Sequence, residues 1–209
     1  MTLDIPPEKM AEYRAGARRR EAARRARLDA RFEPAWAVAR ECADVLRRQF
    51  QYDSLASRLE QVLIDLAHVT QRIETQLQKA TTTDDDAYLD AVALNLHGFY
   101  AGIEHAFEDV AQTVEQSLPA GSRWRQNLLL QMSAEIPGKR PSLISRQTRD
   151  CLDEYRQFRH VVRNVYTFNL RGSRLQELAA EVGACFTAVS TDLSRFIEFL
   201  RQLNANDNP

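Results

Sequence analysis

DAYLDAVALNLHGFYAGIEHAFEDVAQTVEQSL, residues 86–118, is the stretch whose reading decides the fold. Its large apolar residues Leu89, Val92, Leu96, Phe99, Ile103, Phe107, Val110, Val114 and Leu118 recur every three or four positions. That period gathers side chains on one stripe of a helix, whereas a half-buried strand needs alternation by two. A single apolar stripe of this length has to be buried against other helices. Upstream, Leu55, Leu59, Val62, Leu63, Leu66, Val69, Ile73 and Leu77 keep the same spacing between Tyr52 and Lys79. The run Thr81-Thr82-Thr83-Asp84-Asp85-Asp86 reads as a loop that ends by capping the next helix. Downstream, Pro119-Ala120-Gly121-Ser122 stops the long helix, a shorter one is expected from Arg123 to Ile136, and Pro137-Gly138-Lys139-Arg140-Pro141 makes an irregular connection. Ser145 is placed to cap a helix running to about Phe168, Asn169–Ser173 breaks it, and a last helix continues to Leu203. The expected fold class is therefore all-α, an antiparallel helical bundle, with Leu59, Leu63, Leu66, Leu96, Ile103, Phe107, Leu193 and Leu200 in its core.

The first fifty residues differ in character. Pro6-Pro7-Glu8 opens a helix at a turn that tolerates proline, and Pro34 is expected to interrupt or kink it. A second segment, Ala35 to Phe50, carries Trp36, Val38, Ala39, Cys42, Val45 and Leu46. Twelve basic residues against eight acidic ones give this segment a net charge of +4, which leaves −5 for the rest of a chain whose total is −1. The expected organisation is a basic helical extension over residues 1–50, the bundle over 51–204 and a disordered tail at 205–209. The extension reads either as an arm that guides RNA, as a contact with the acidic bundle, or as a solvated helix.

Composition is that of an ordinary globular protein, at 44% hydrophobic and 27% charged residues. A net charge near zero argues against a uniform polyanion coat and leaves local patches open. Cys42, Cys151 and Cys185 are odd in number and scattered, so buried free thiols in a reducing cytoplasm are expected. No zinc-ligand spacing is present among these cysteines and the histidines at 68, 97, 105 and 160, so neither a metal nor another cofactor is expected. The charged N-terminus and the lack of any apolar run near ~18 residues predict no signal peptide and no membrane span.

Chemistry concentrates in Arg159-His160-Val161-Val162-Arg163-Asn164-Val165-Tyr166. On a helix Arg159, Arg163 and Tyr166 share one face, and His160 and Asn164 share the next. A buried guanidinium without a partner costs several kcal/mol, so a stripe with two arginines points to a surface that meets phosphate. The structural alternative is a solvated face whose arginine stems lie over apolar neighbours.

These residues resemble the signature of the HEPN superfamily, small helical ribonucleases, and within it the HepT-like toxins. That motif is Arg, four residues, His, one residue, Tyr, with a polar residue directly after the Arg. Arg159, His160 and Tyr166 fill the Arg, polar and Tyr positions, while Asn164 stands where the family has His. The likeness extends through Leu96-His97-Gly98-Phe99-Tyr100-Ala101-Gly102-Ile103-Glu104, Gly138-Lys139-Arg140-Pro141 and Phe196-Ile197-Glu198-Phe199-Leu200, covering roughly Tyr52 to Leu203. It implies a metal-independent ribonuclease, the toxin of a toxin–antitoxin pair, whose antitoxin is a nucleotidyltransferase able to add AMP to the motif Tyr, here Tyr166. It further implies a homodimer with two motifs facing one cleft and RNA as the substrate.

Cleavage of this kind needs a base for the 2′-hydroxyl, a stabiliser for the phosphorane and an acid for the leaving oxygen. Arg159 suits the stabilising role, being permanently charged and bidentate, and Arg163 is a second hold on phosphate, while the resemblance gives Glu104 the orientation of the Arg. Asn cannot ionise. Either His160 takes over the missing base, or Asn164 orients a hydroxyl and catalysis is slow, or the domain is inactive and binds RNA or its partner without cutting. The segment from Pro7 to Arg14 is similar to the leader helices of the partner nucleotidyltransferases, whose catalytic Gly-Ser turn and spaced carboxylates this chain lacks.

Overall fold

The computed structural model describes residues 6–83, 85–164 and 172–206, without the side chains of residues 7, 86, 160–164, 172, 205 and 206. It contains α1 (Pro7–Thr83), α2 (Asp86–Val110), a π-helical turn (Ala111–Glu115), α3 (Trp124–Ser133), α4 (Arg146–Asn164) and α5 (Gly172–Asn206). Among the described residues there is no strand, only an isolated bridge between Ile136 and Arg140. The fold is an all-α bundle. No described helix is long and apolar enough to cross a membrane.

Contacts divide the chain into two units, Met1–Arg48 and Gln49–Pro209. In the first, the described chain is helix from Pro7 onward. Met10 N–H donates to the Pro6 carbonyl at 3.1 Å to begin it, and ion pairs Arg25–Glu21, Arg40–Glu33 and Arg47–Asp44 decorate its surface. Helix continues through Pro34, so of the expected interruption or kink the interruption is absent. Every described side chain from Glu21 to Asp44 is exposed, so water can take the carbonyl that the proline leaves without a partner. Tyr52 does not open a new element either. At the other end α1 overruns the expected loop to Thr83, because the Thr82 and Thr83 hydroxyls donate to the Gln78 and Lys79 carbonyls of the last turn. Asp85 then caps α2 by accepting from Ala87 N–H at 2.9 Å.

In the second unit the chain directions follow from paired side chains. Arg58 grips Asp109 with two bonds of 2.7 and 2.9 Å, and Leu66 lies under Gly102, so this part of α1 runs antiparallel to α2. Arg201 meets Glu60 and Asn204 meets Asp53, which sets α5 antiparallel to the same stretch. α4 and α5 are antiparallel too. Asp192 accepts from Ser145 N–H at 2.8 Å and Thr148 Oγ1 at 2.6 Å, and Tyr155 Oη donates to the Leu178 carbonyl at 3.0 Å. Ser145 Oγ caps α4 by accepting from Thr148 N–H. The core holds Leu59, Leu66, Leu96, Ile103, Phe107, Leu193 and Leu200, with Leu63 half-buried beside it.

Two expectations fail here for identifiable reasons. α2 does not run to Leu118, which is exposed. It widens into the π-helical turn, and Gln116 in the left-handed region (φ 54°) ends it. The turn aims Glu115 inward, where it meets Arg140 Nη2 at 2.6 Å. Arg140 also donates to the Ala134, Pro141 and Gln131 carbonyls, so the connection after α3 is pinned by a buried, fully partnered guanidinium. The cysteines are not three buried free thiols. Cys151 on α4 is disulfide-bonded to Cys185 on α5, with Cα atoms 6.2 Å apart, and Cys42 is free and exposed. The packing of two helices brings the pair together, and sequence spacing carries no sign of it.

Candidate functional site

α2 presents His97, Tyr100 and Glu104 at i, i+3 and i+7, one face of the helix. Glu104 is the pivot, its side chain only 7% exposed. A buried carboxylate needs charged partners, and it has two. From α4, Arg159 Nη1 lies 3.1 Å from Oε1 and 3.4 Å from Oε2. From the first turn of α3, Arg125 Nε donates to both oxygens at 3.0 and 3.2 Å. The Arg125 guanidinium also stacks over the Trp124 ring, 4.3 Å from its centroid, which fixes the plane of the fork.

One carboxylate therefore neutralises one of two guanidiniums, and the corner keeps a net positive charge. Arg159 is 17% exposed and Arg125 32% exposed, so the second is the more open of the two. Arg159 Nε is buried with no hydrogen-bond partner among the described residues. His97 is half-buried at the same corner. Burial lowers its pKa, the Arg159 charge lowers it further, and Glu104 pulls the other way, so the neutral imidazole is favoured. Tyr100 is buried, and its phenol is pushed well above the usual range by desolvation and by Glu104.

Of the residues expected from sequence, Arg159 and Glu104 are brought into one ion pair. His160, Arg163 and Asn164 belong to α4 by their backbone, but their side chains lie outside the described residues, and Tyr166 lies outside them altogether. Arg125 escaped the sequence reading, because its only local signal is an arginine beside a tryptophan, and nothing in that pair reveals a carboxylate twenty-one residues away. His97 carried a weak signal, its seven-residue spacing from Glu104.

No curated protein and no solved structure matches the chain. Residues 91–200, more than half of its length, match the model of a family described as HepT-like protein. Glu104, Arg125 and Arg159 all fall inside that match, on the helices of an all-α bundle. The chain belongs to the HepT-like family, within the HEPN superfamily.

Proposed function

We propose that this protein is a HEPN-type, metal-independent endoribonuclease, the toxin component of a toxin–antitoxin pair with a nucleotidyltransferase partner. The observation that carries the reading is the buried Glu104 holding two guanidiniums, which leaves a net positive charge where a phosphate can sit. Arg159 and Arg125 stabilise the pentavalent phosphorane formed when a 2′-oxygen attacks the adjacent phosphorus and the 5′-oxygen leaves. Neutral imidazole takes the 2′-hydroxyl proton, and a protonated group returns one to the leaving oxygen. His97 and His160 are the candidates for this exchange, since Asn164 cannot ionise. Two copies would place their sites across a two-fold axis and double the charge that meets RNA. Tyr166 is the candidate acceptor of AMP from the partner, which would block the site by size and charge.

Purified protein should cleave single-stranded RNA in the presence of a chelator. Arg159→Ala should lower the rate by about 10²–10³-fold, the cost of losing one preorganised donor to a developing oxyanion. His97→Ala and His160→Ala assign the base, since the one that matters should cost roughly 10²-fold or more. Asn164→His restores the family's residue, and a gain of about tenfold or more would mark the natural protein as an attenuated nuclease. Asn164 also favours a second reading, an inactive HEPN-like protein that binds RNA or its partner. That reading stands if wild type and Asn164→His are both inert while RNA binding persists.

A further inference from the structure

Eight arginines lie between Arg14 and Arg31, and they do not share one environment. At about 100° per residue, Arg14, Arg18 and Arg25 fall on the face that also holds Glu21 and Asp29. Glu21 accepts a bond from Arg25 there. Arg20, Arg24, Arg27 and Arg31, at i, i+4, i+7 and i+11, form a separate stripe about 60° wide. No acidic residue of the extension projects onto that stripe, and all four arginines are exposed. The same line continues toward the N-terminus through Tyr13 to Lys9, and Tyr13 is exposed with the Arg20 guanidinium 6.0 Å from its ring centroid. Gly16 and Ala17 between Tyr13 and Arg20 leave the helix surface low at that point.

We infer that this stripe is a binding track for the backbone of single-stranded RNA. The inference rests on the ribonuclease reading only for the identity of the polyanion. Successive arginines stand about one turn, ~5.4 Å, apart, so an extended strand can meet several forks in register. All four positions of the stripe are arginine, which suits phosphate, because a planar fork grips it with two bonds. An exposed tyrosine on the same line gives a base a face to stack on, which an acidic protein segment would not use. A lipid surface fits less well. Between Arg14 and Arg31 the one large aliphatic side chain is Leu28, and a helix lying in a membrane needs a broad apolar face.

The test uses the full chain and a fluorescent 20-nucleotide oligouridylate, with anisotropy titrations from low to moderate salt. Arg20, Arg24, Arg27 and Arg31 are changed together to Gln, which keeps helix propensity, and circular dichroism checks that helix content is retained. Arg14, Arg18 and Arg25 changed to Gln form the control set. Four phosphate contacts on a single strand contribute about 3 to the slope of log affinity against log salt. The stripe variant should lose roughly that much slope and bind at least about tenfold more weakly at low salt, while the control set changes affinity by less than about threefold. Equal losses in both sets, or no loss in the stripe variant, would overturn the track. Tighter binding of the stripe to phosphatidylserine vesicles than to the oligouridylate would overturn it as well. RNA that is bound through the stripe and never cut would remove the nuclease reading and keep the track. RNA that is cut by a protein whose affinity ignores the stripe would do the reverse.

Discussion

Two stretches of α1 carry large apolar residues at helical spacing and meet opposite fates. Leu28, Phe32, Trp36, Leu46 and Phe50 are exposed, whereas Leu55, Leu59, Leu66 and Ile73 are buried. The first group is flanked by arginine and glutamate pairs on the surface, and the second packs under α2 and α5, as Leu66 against Gly102 and Glu60 against Arg201 show. Periodicity thus specifies a helix and a candidate face, and burial requires a partner helix with a matching stripe. α2 and α5 supply that for the second group within the same chain.

The largest effects should come from breaking the buried side of this contrast. Phe107 is fully buried, and Phe107→Ala should cost about 3–5 kcal/mol in denaturant unfolding. Trp36→Ala, at an exposed position, should stay within about 0.5 kcal/mol. A cost of several kcal/mol at Trp36 would mean that the exposed face of the extension is covered in solution, and the contrast would then belong to the isolated chain alone.

The cysteines divide along the same line. The folded protein should show one reactive thiol, Cys42, and three would remove the disulfide. Cys151 and Cys185 are 34 residues apart, so changing both to Ser should destabilise the bundle by about 3–4 kcal/mol in the chain-entropy account. Cys42→Ser should leave stability unchanged. Equal midpoints with and without reductant would contradict the expected stabilisation.

What could be read from the sequence follows from how far each signal reaches. The stripes from Leu55 to Ile73 and from Val92 to Val110 are local patterns, and helices with those buried faces are present. Helix ends were harder to read, since the overrun to Thr83 depends on hydroxyls that turn back onto carbonyls, and the continuation through Pro34 depends on exposure to water. The corner around Glu104 was legible in part. Arg159 stands out by its stripe and by family likeness, and Glu104 by family likeness alone, but Arg125 and the Cys151–Cys185 pair depend on how helices pack, which no local spacing encodes. The acid-free arginine stripe, by contrast, can be found with a helical wheel alone.

Two glycines give a finer comparison. A methyl group on Gly16 would lie 3.5 Å from an arginine tip, an ordinary contact, so Gly16→Ala should stabilise helix in the extension by about 0.5–1 kcal/mol. On Gly102 it would lie 3.2 Å from Leu66 Cδ2 inside the packed bundle. The same gain in propensity is there opposed by overpacking of about 1–3 kcal/mol, so Gly102→Ala should be neutral to destabilising. Helicity of the extension and thermal unfolding of the bundle read the two effects, and stabilisation at Gly102 would show that Leu66 has room to move.

The smallest expected effect tests the corner directly, through the titration of His97 followed by NMR. Its pKa lies below 6.5 because burial removes the imidazolium from water and because Arg159 repels it, with Glu104 opposing. Arg159→Ala should therefore raise the pKa, and Glu104→Gln should lower it further. The same shift sets a weak pH dependence of stability. The folded chain holds its proton less tightly than the unfolded one, so the contribution of His97 is complete above pH 6.5 and is lost as the pH falls below it. Arg159→Ala should shrink that loss, and Glu104→Gln should enlarge it. A titration of His97 that ignores both substitutions would separate it from the two charges and leave His160 as the imidazole to test for the proton transfer. Opposite shifts in the two variants would place His97 in the field of both Glu104 and Arg159, the position that proton exchange at a bound phosphate requires.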